Sequence, residues 1–271
     1  GDFLLIFVFK MGIAGAGLST AISQFISFCI LLSMYLRGKT QARLSIKNVC
    51  LRGGYISNIV LTGFPSLIRQ CLNSLATILL NYCAARYGDA AVAAMSIVSR
   101  ITFFTMSIAI GIGQGFQPVS AFNFGAGHFD RVKKAFKFTL MAAEVVVIVF
   151  GIPLFIFAEP LTAIFRDDPE VIHYAIRALR LQTVAFMVMP LCMALEMGFQ
   201  STGQRLYASL LSSLRSGLLF VPSLLILSKV RGMAGIQEAQ PLALFLSFII
   251  GLFYMRKYYN LMDEKAQAAT G

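Results

Sequence analysis

Long apolar segments separated by short polar ones make up most of this 271-residue chain. A helix needs about 20 apolar residues to cross a bilayer. Seven segments meet that length, and a shorter apolar stretch at 3–9 precedes them. The seven are predicted at 12–36, 55–83, 91–118, 138–158, 174–200, 206–229 and 236–258. The pattern therefore predicts an all-α, polytopic membrane protein with about seven transmembrane helices.

The chain also contains an internal repeat. Leu4–Arg37 aligns without a gap with Leu224–Lys257, and eleven positions are identical, where apolar composition alone would give roughly four. Each copy is a G-x-A-G turn followed by an apolar helix that ends in basic residues, so both copies share one orientation. We interpret the chain as rather more than half of a duplicated protein, which carries the second six-helix lobe and the end of a first lobe.

This interpretation predicts four parts. Residues 1–36 hold the end of a fifth helix and the sixth helix of the first lobe, 37–54 form a cytoplasmic linker between the lobes, 55–258 form the C-terminal six-helix lobe, and 259–271 form a cytoplasmic tail.

Composition and charge agree with a membrane protein. Hydrophobic residues make up 58% of the chain, charged residues 13%, and the mean hydropathy is +0.76, which exceeds the apolar content of soluble domains. The net charge of +11 does not indicate nucleic-acid binding, because basic residues collect in alternate loops. By the positive-inside rule we expect a multi-pass protein of the cell (inner, cytoplasmic) membrane, surrounded by membrane lipid and with a cytoplasmic C-terminus.

The sequence gives no sign of a metal site or of an enzyme. Its five cysteines are scattered, with only His128 and His173 as possible companions, and no metal-ligand spacing occurs. There is also no cluster of His, Asp and Glu and no activated nucleophile. We predict no cofactor.

Polar residues follow one face of the span 55–83. Their spacing of three or four residues places them on one side of a helix, which cannot meet lipid without leaving hydrogen bonds unsatisfied. A single Ser or Thr there would more often pack against another helix, but the whole set favours the wall of a water-filled substrate cavity. Pro65 predicts a kink in the same span. The predicted cavity residues are Thr62, Ser66, Arg69, Gln70, Asn73, Thr77 and Asn81.

Charged residues inside predicted spans require partners. Glu196 and Arg215 lie on consecutive spans at depths that differ by roughly 5 Å, so we predict that they pair. The pair is equally consistent with a structural tie between helices and with a role in proton coupling. Glu144 lies near a cytoplasmic end and is expected to snorkel, and Arg100 has no assigned partner.

A run rich in glycine and glutamine, GIGQGFQPVSAFNFGAG, covers 111–127. Ser107, Gly111 and Gly115 repeat at intervals of four, which predicts a face where helices approach closely. Gln114, Gln117, Pro118 and Asn123 predict that the helix ends there in a polar turn within a loop over 119–137. The run is not a nucleotide-binding loop, because no strand precedes it and no Lys-Ser/Thr follows it.

This run resembles the helix-8 signature of the multidrug and toxic compound extrusion (MATE) transporters. The matching residues are Gly111, Gly113, Gln114, Gly115, Gln117, Pro118, Asn123 and Gly125, with Ala126. The stretch from Pro65 through Arg69 and Asn81 to Arg100 looks like helices 7 and 8 of that family, and FQSTGQ at 199–204 with Arg215 and Pro222 looks like helices 10 and 11. MGIAGAGLSTAISQ and MAGIQEA look like the entries to helices 6 and 12.

The resemblance implies twelve helices in two lobes, of which this chain carries the second. It also implies a secondary active antiporter that exports small cationic amphipathic compounds in exchange for H+ or Na+ by alternating access. A flippase for lipid-linked precursors, with a related two-lobe fold, is the alternative. Two family carboxylates differ here: a helix-7 glutamate falls at Asn73, and a helix-10 aspartate lacks a clear counterpart, since Glu196 lies about five residues nearer the cytoplasm. We therefore expect the coupling carboxylate to lie outside this chain, in the N-terminal lobe.

Overall fold

The regular structure is helical throughout the part of the chain that the structure, a computed structural model, describes: residues 4–8, 10–37, 53–166 and 168–270. A π-helical turn at Leu4–Val8 precedes the first α-helix. The α-helices are α1 (Gly12–Leu36), α2 (Gly53–Ala85), α3 (Asp89–Gly125), α4 (Phe129–Ile156), α5 (Ala158–Phe165), α6 (Pro169–Phe186), α7 (Met189–Ser201), α8 (Arg205–Ser213), α9 (Phe220–Arg231) and α10 (Met233–Thr270).

Within the described part of the chain, five helical segments are long and apolar enough to cross a membrane, and a sixth results if the bent pair α6–α7 counts as one span. The five are α1, α3, α4, α10 and the continuous run through α8 and α9. At 33 residues, α2 is also long enough, but its polar stripe lowers its hydropathy. The prediction of a polytopic helical protein is confirmed, and each predicted span coincides with one of these segments.

The chain divides into two compact units, residues 1–57 and 58–271. Most of the predicted linker 37–54 lies outside the described residues, as does Asp167 between α5 and α6.

The internal repeat corresponds to a shared backbone geometry. Gly12 and Gly232, the first glycines of the two G-x-A-G turns, have φ of +58° and +62°, a region that glycine adopts readily and other residues rarely do. A Cβ atom placed on Gly15 would lie 2.9 Å from the carbonyl oxygen of Leu5, and one on Gly235 would lie 2.0 Å from that of Leu227. Both copies therefore use one glycine to turn and another to pack against the preceding helix.

Two clusters of buried side chains form the core of the unit 58–271. The first joins α2, α3, α6, α9 and α10 and is rich in alanine, which allows the helices to approach closely. The second joins α3, α4, α7, α8 and α10 around larger side chains. The largest of these that are fully buried are Phe136, Met189, Met193, Leu195, Phe199, Tyr258 and Met262.

The predicted helix break at Pro118 and the predicted loop over 119–137 are wrong. α3 continues through Pro118 to Gly125, and α4 begins at Phe129 after a short turn in which Gly127 has φ of +76°. Phe116 and Ser120, on either side of the proline, are both buried. Packing around the helix therefore compensates for the one backbone hydrogen bond that proline removes.

Two of the predicted spans, 174–200 and 206–229, are interrupted. The helices α6 and α7 meet at an angle of 52°, and Pro190 lies in the first turn of α7, where the missing N–H is tolerated. A π-helical turn at Leu214–Leu218 separates α8 from α9, four residues before Pro222, which cannot donate to the Leu218 carbonyl. At the other end of the unit, α10 continues as a helix through the predicted tail to Thr270.

Candidate functional site

A buried carboxylate binds two arginines within the unit 58–271. Arg69 Nη1 lies 2.8 Å from Glu196 Oε1, and Arg215 Nη2 lies 2.9 Å from Glu196 Oε2. Glu196 is 3% exposed, and the side chain of Arg69 is more exposed than that of Arg215 (37% against 11%). We call these three residues the Arg–Glu–Arg cluster.

Three separate elements supply the cluster. Arg69 lies midway along α2, Glu196 on α7, and Arg215 on the π-helical turn between α8 and α9. A π-helical turn is an energetically poor element that occurs often at functional sites. Its Gly217 lies so close to α2 that an added Cβ would be 2.8 Å from the Leu72 side chain. The absence of a side chain at Gly217 therefore allows α2 to lie beside Arg215.

The cluster has an excess of one positive charge, because two guanidinium groups share one carboxylate. Removal of the carboxylate by substitution would leave the guanidinium of Arg215, which is 11% exposed, without a counter-charge, and an unpaired buried charge costs several kcal/mol. The predicted pairing of Glu196 with Arg215 is confirmed. The participation of Arg69 was not predicted, because its place on the polar stripe suggested a cavity residue and sequence spacing does not report contacts between distant helices.

The polar stripe of α2 lies beside the face that packs in the core. Ala76, Leu80 and Cys83 are buried, and the stripe lies about 90° further around the helix. Ser66 and Arg69 are half-buried, Gln70, Asn73, Thr77 and Asn81 are exposed, and the side chain of Thr62 lies outside the described residues. The exposed members therefore do not pack against the helices of their own unit, and their role in a cavity stays a prediction.

Cysteine accessibility tests this prediction in the full-length protein. In a cysteine-free background, cysteines at Asn73 and Thr77 are expected to react with a membrane-impermeant thiol reagent and to be protected by substrate. Cysteines at Leu67 and Ile78 serve as controls, because these apolar residues are equally exposed on α2, at 59% and 64%, but are expected to face lipid. Equal labelling at all four positions would contradict a water-filled cavity.

Two hydrogen bonds between side chains join the glycine-rich run of α3 to the end of α7. Gln117 Nε2 donates to Gln200 Oε1 at 3.1 Å, and Ser201 Oγ donates to Ser120 Oγ at 2.8 Å. The two most recognisable sequence motifs, on α3 and on α7, are therefore in contact. The sequence showed both motifs but gave no signal that they touch.

Close packing in this run occurs at a different glycine from those predicted. A Cβ on Gly113 would lie 2.3 Å from Met197 Sδ, whereas one on Gly111 or Gly115 would have no neighbour within 4 Å. The predicted face of Ser107, Gly111 and Gly115 is exposed and does not join helices within the described part of the chain. Of the other motif residues, Gln114 is exposed, Asn123 donates from Nδ2 to the Val119 carbonyl, and Gly125 ends α3.

Known proteins resemble this chain in sequence over most of its length. The MatE family model matches residues 65–225, more than half of the chain. The multidrug export protein MepA of Staphylococcus aureus (strain MSSA476) is 26% identical over 235 residues, which cover 87% of this chain and 52% of MepA. MepA of Staphylococcus saprophyticus is 27% identical, and the match covers 100% of this chain and 60% of that MepA. The chain thus spans a little over half the length of these curated relatives.

Solved structures show the same fold at lower identity. An outward-facing MATE family transporter of the MOP superfamily has a TM-score of 0.87 at 19% identity, with 97% of this chain and 60% of that chain covered. The Vibrio cholerae transporter VcmN in its bent form has a TM-score of 0.80 at 18% identity and the same coverage. With the family match over residues 65–225, these comparisons show that the chain belongs to the MATE family of multidrug efflux transporters and corresponds to about the C-terminal part of such a transporter.

Proposed function

We propose that this chain is the C-terminal lobe of a secondary active antiporter, which exports small cationic amphipathic compounds in exchange for H+ or Na+ by alternating access. The exposed polar stripe on α2 is the observation that supports this proposal most directly. A polar face along a transmembrane helix that its own unit leaves uncovered fits one wall of a substrate cavity between two lobes.

The Arg–Glu–Arg cluster supports a rigid-body form of alternating access. It ties α2, which carries the stripe, to α7 and to the π-helical turn, so that the cavity wall would move as one body with the rest of the lobe. Because the carboxylate of Glu196 is buried and both of its oxygens are bound by guanidinium groups, we propose a structural role for the cluster. The coupling carboxylate would then lie in the N-terminal lobe.

The exposed stripe on α2 also indicates which side chains of this lobe would bind the substrate. Gln70, Asn73, Thr77 and Asn81 are neutral hydrogen-bonding side chains on the exposed stripe. Such groups would orient a substrate and bind its polar atoms, while the attraction for a positive charge would come from the opposite lobe.

Transport by the restored parent protein tests the proposal. In a host that lacks its own drug pumps, the full-length transporter is expected to lower ethidium accumulation several-fold, whereas residues 1–271 alone are expected to have no effect. The activity should disappear when the proton and sodium gradients are both dissipated at constant ATP. Export that persists without either gradient would contradict antiport, and movement of lipid-linked sugars without cations would favour the flippase alternative.

A further inference from the structure

A groove of about 540 Å³ lies between α4, α6 and α10, remote in sequence from the polar stripe of α2. Its walls are apolar and include Ile176, Val184 and Phe245, while Arg177 and Arg180 also line it. The combination of an apolar groove with two guanidinium groups is the arrangement that an anionic amphiphile requires.

The two arginines of the groove lie on one face of α6, together with two of its other lining residues. His173, Arg177, Arg180 and Val184 follow at intervals of four, three and four residues, which aligns them along the helix, and all four are exposed. Exposed arginines on a membrane-spanning helix are costly unless an anion or water solvates them. Their alignment therefore presents two guanidinium groups to one neighbour, which must be an anion or water.

The nearby carboxylate does not neutralise these cations. Glu238 on α10 accepts hydrogen bonds from Arg177, at 2.8 Å, and from Arg231, so one negative charge is shared between two guanidinium groups. Among the described residues no carboxylate pairs with Arg180, whose guanidinium carbon lies 5.6 Å from the centre of the Phe155 ring. The three guanidinium groups of Arg177, Arg180 and Arg231 together with the carboxylate of Glu238 therefore leave a formal charge of about +2 within this set of residues.

The position of the charge along the membrane normal fits a lipid headgroup. Phe155 is the second-last residue of α4, so the guanidinium of Arg180 reaches the level at which this span ends. Arginine side chains extend in this way to place their charge at the interface while their stems cover apolar surface. Val184 lies one turn deeper along α6, where an acyl chain would begin.

We propose that the groove binds one anionic phospholipid, with Arg180 and Arg177 on its phosphate and with Ile176, Val184 and Phe245 along an acyl chain. The groove shares no lining residue with the predicted cavity face of α2, and its proposed occupant is a bilayer component rather than an exported compound. We choose an anionic lipid because its headgroup complements the positive charge of the groove. A zwitterionic headgroup would bring a cation of its own to a site that is already positive.

Native mass spectrometry of the full-length transporter, delipidated in a non-ionic detergent and titrated with defined lipids, tests the proposal. Phosphatidylglycerol is expected to bind with clear preference over phosphatidylcholine of the same acyl chains. Arg180→Gln is expected to weaken phosphatidylglycerol binding about tenfold, the effect of losing one charge-assisted contact. The matched control is Arg166→Gln, which removes the same charge from an exposed arginine near the same end of α6, where it pairs with Asp168, and should leave the affinity unchanged.

A second variant tests the acyl-chain wall without changing any charge. Val184→Trp is expected to fill the groove and weaken phosphatidylglycerol binding, while thermal unfolding confirms that the protein remains folded. Soluble glycerol 3-phosphate is expected to bind poorly. Equal binding of both lipids, equal binding of glycerol 3-phosphate, or insensitivity to both Arg180→Gln and Val184→Trp would overturn the proposal, as would a full-length structure in which another helix fills the groove.

Discussion

Replacement of Glu196 with glutamine is expected to reduce sharply the yield of folded full-length protein. The change would leave the guanidinium groups of Arg69 and Arg215 close together without their carboxylate. Breaking a buried ion pair from one side costs about 3–5 kcal/mol, and the repulsion between the two cations adds to that cost. The measurement is the monodisperse fraction in size-exclusion chromatography together with the unfolding temperature.

The double variant Glu196→Gln with Arg215→Met is the informative comparison. It removes both charges of the more buried pair and leaves Arg69, whose side chain is 37% exposed and can reach water. We expect the double variant to recover part of the yield lost in the single variant, which is the non-additivity that contacting residues show. Glu144→Gln is the control, because this half-buried carboxylate on α4 has no ion-pair partner among the described residues. Strictly additive losses would contradict the cluster.

Replacement of Gly235 with alanine is expected to destabilise the junction of α9 and α10. The added Cβ would lie 2.0 Å from the Leu227 carbonyl oxygen and 2.4 Å from its carbonyl carbon. Backbone atoms cannot rotate away as a side-chain end can, so α10 would have to separate from α9. The cost of such overpacking is about 1–3 kcal/mol or more, measured as the change in unfolding temperature of the purified full-length protein.

Gly251 provides a matched control on the same helix. It is also buried, but a Cβ there would lie 3.5 Å from Cys192 Sγ, an ordinary van der Waals distance. Alanine at Gly251 should be neutral or should stabilise the helix by up to about 1 kcal/mol, because alanine has the higher helix propensity. Equal loss from Gly235→Ala and Gly251→Ala would show that loss of glycine in this helix, rather than close approach to Leu227, is the cause.

The apolar pattern and the internal repeat predicted the architecture because each is a property of single segments and does not depend on contacts between segments. Each apolar segment must form its own backbone hydrogen bonds in a bilayer, so its length alone identifies a helix. The repeat likewise predicted two equivalent turns, and Gly12 and Gly232 both have a positive φ. The predicted helix break at Pro118 was wrong because contacts between helices, which the sequence does not show, outweighed local propensity. Proline favours the end of a helix, but the packing of Phe116 and Ser120 stabilises its continuation.

The groove residues were missed for a related reason. Arg177 and Arg180 lie within a predicted span, and their spacing of three was visible in the sequence, as was the position of Glu238 in another span. An alignment on one helix face does not show which other helix meets that face. The sharing of Glu238 between Arg177 and Arg231 depends on α6, α9 and α10 meeting at one end of the unit.

The sequence by itself determined that this is a helical membrane protein, where its spans lie, which helix carries a polar face and that Glu196 and Arg215 are near in depth. Only the tertiary structure decided that Arg69 joins them, that Gly113 rather than Gly111 or Gly115 is packed tightly, and that the motifs of α3 and α7 are in contact. The physical reason is that hydrophobic period and helix length act within one segment. Ion pairing and close packing instead act between segments whose relative rotation and bend are set by the whole bundle, here by a 52° bend and a π-helical turn.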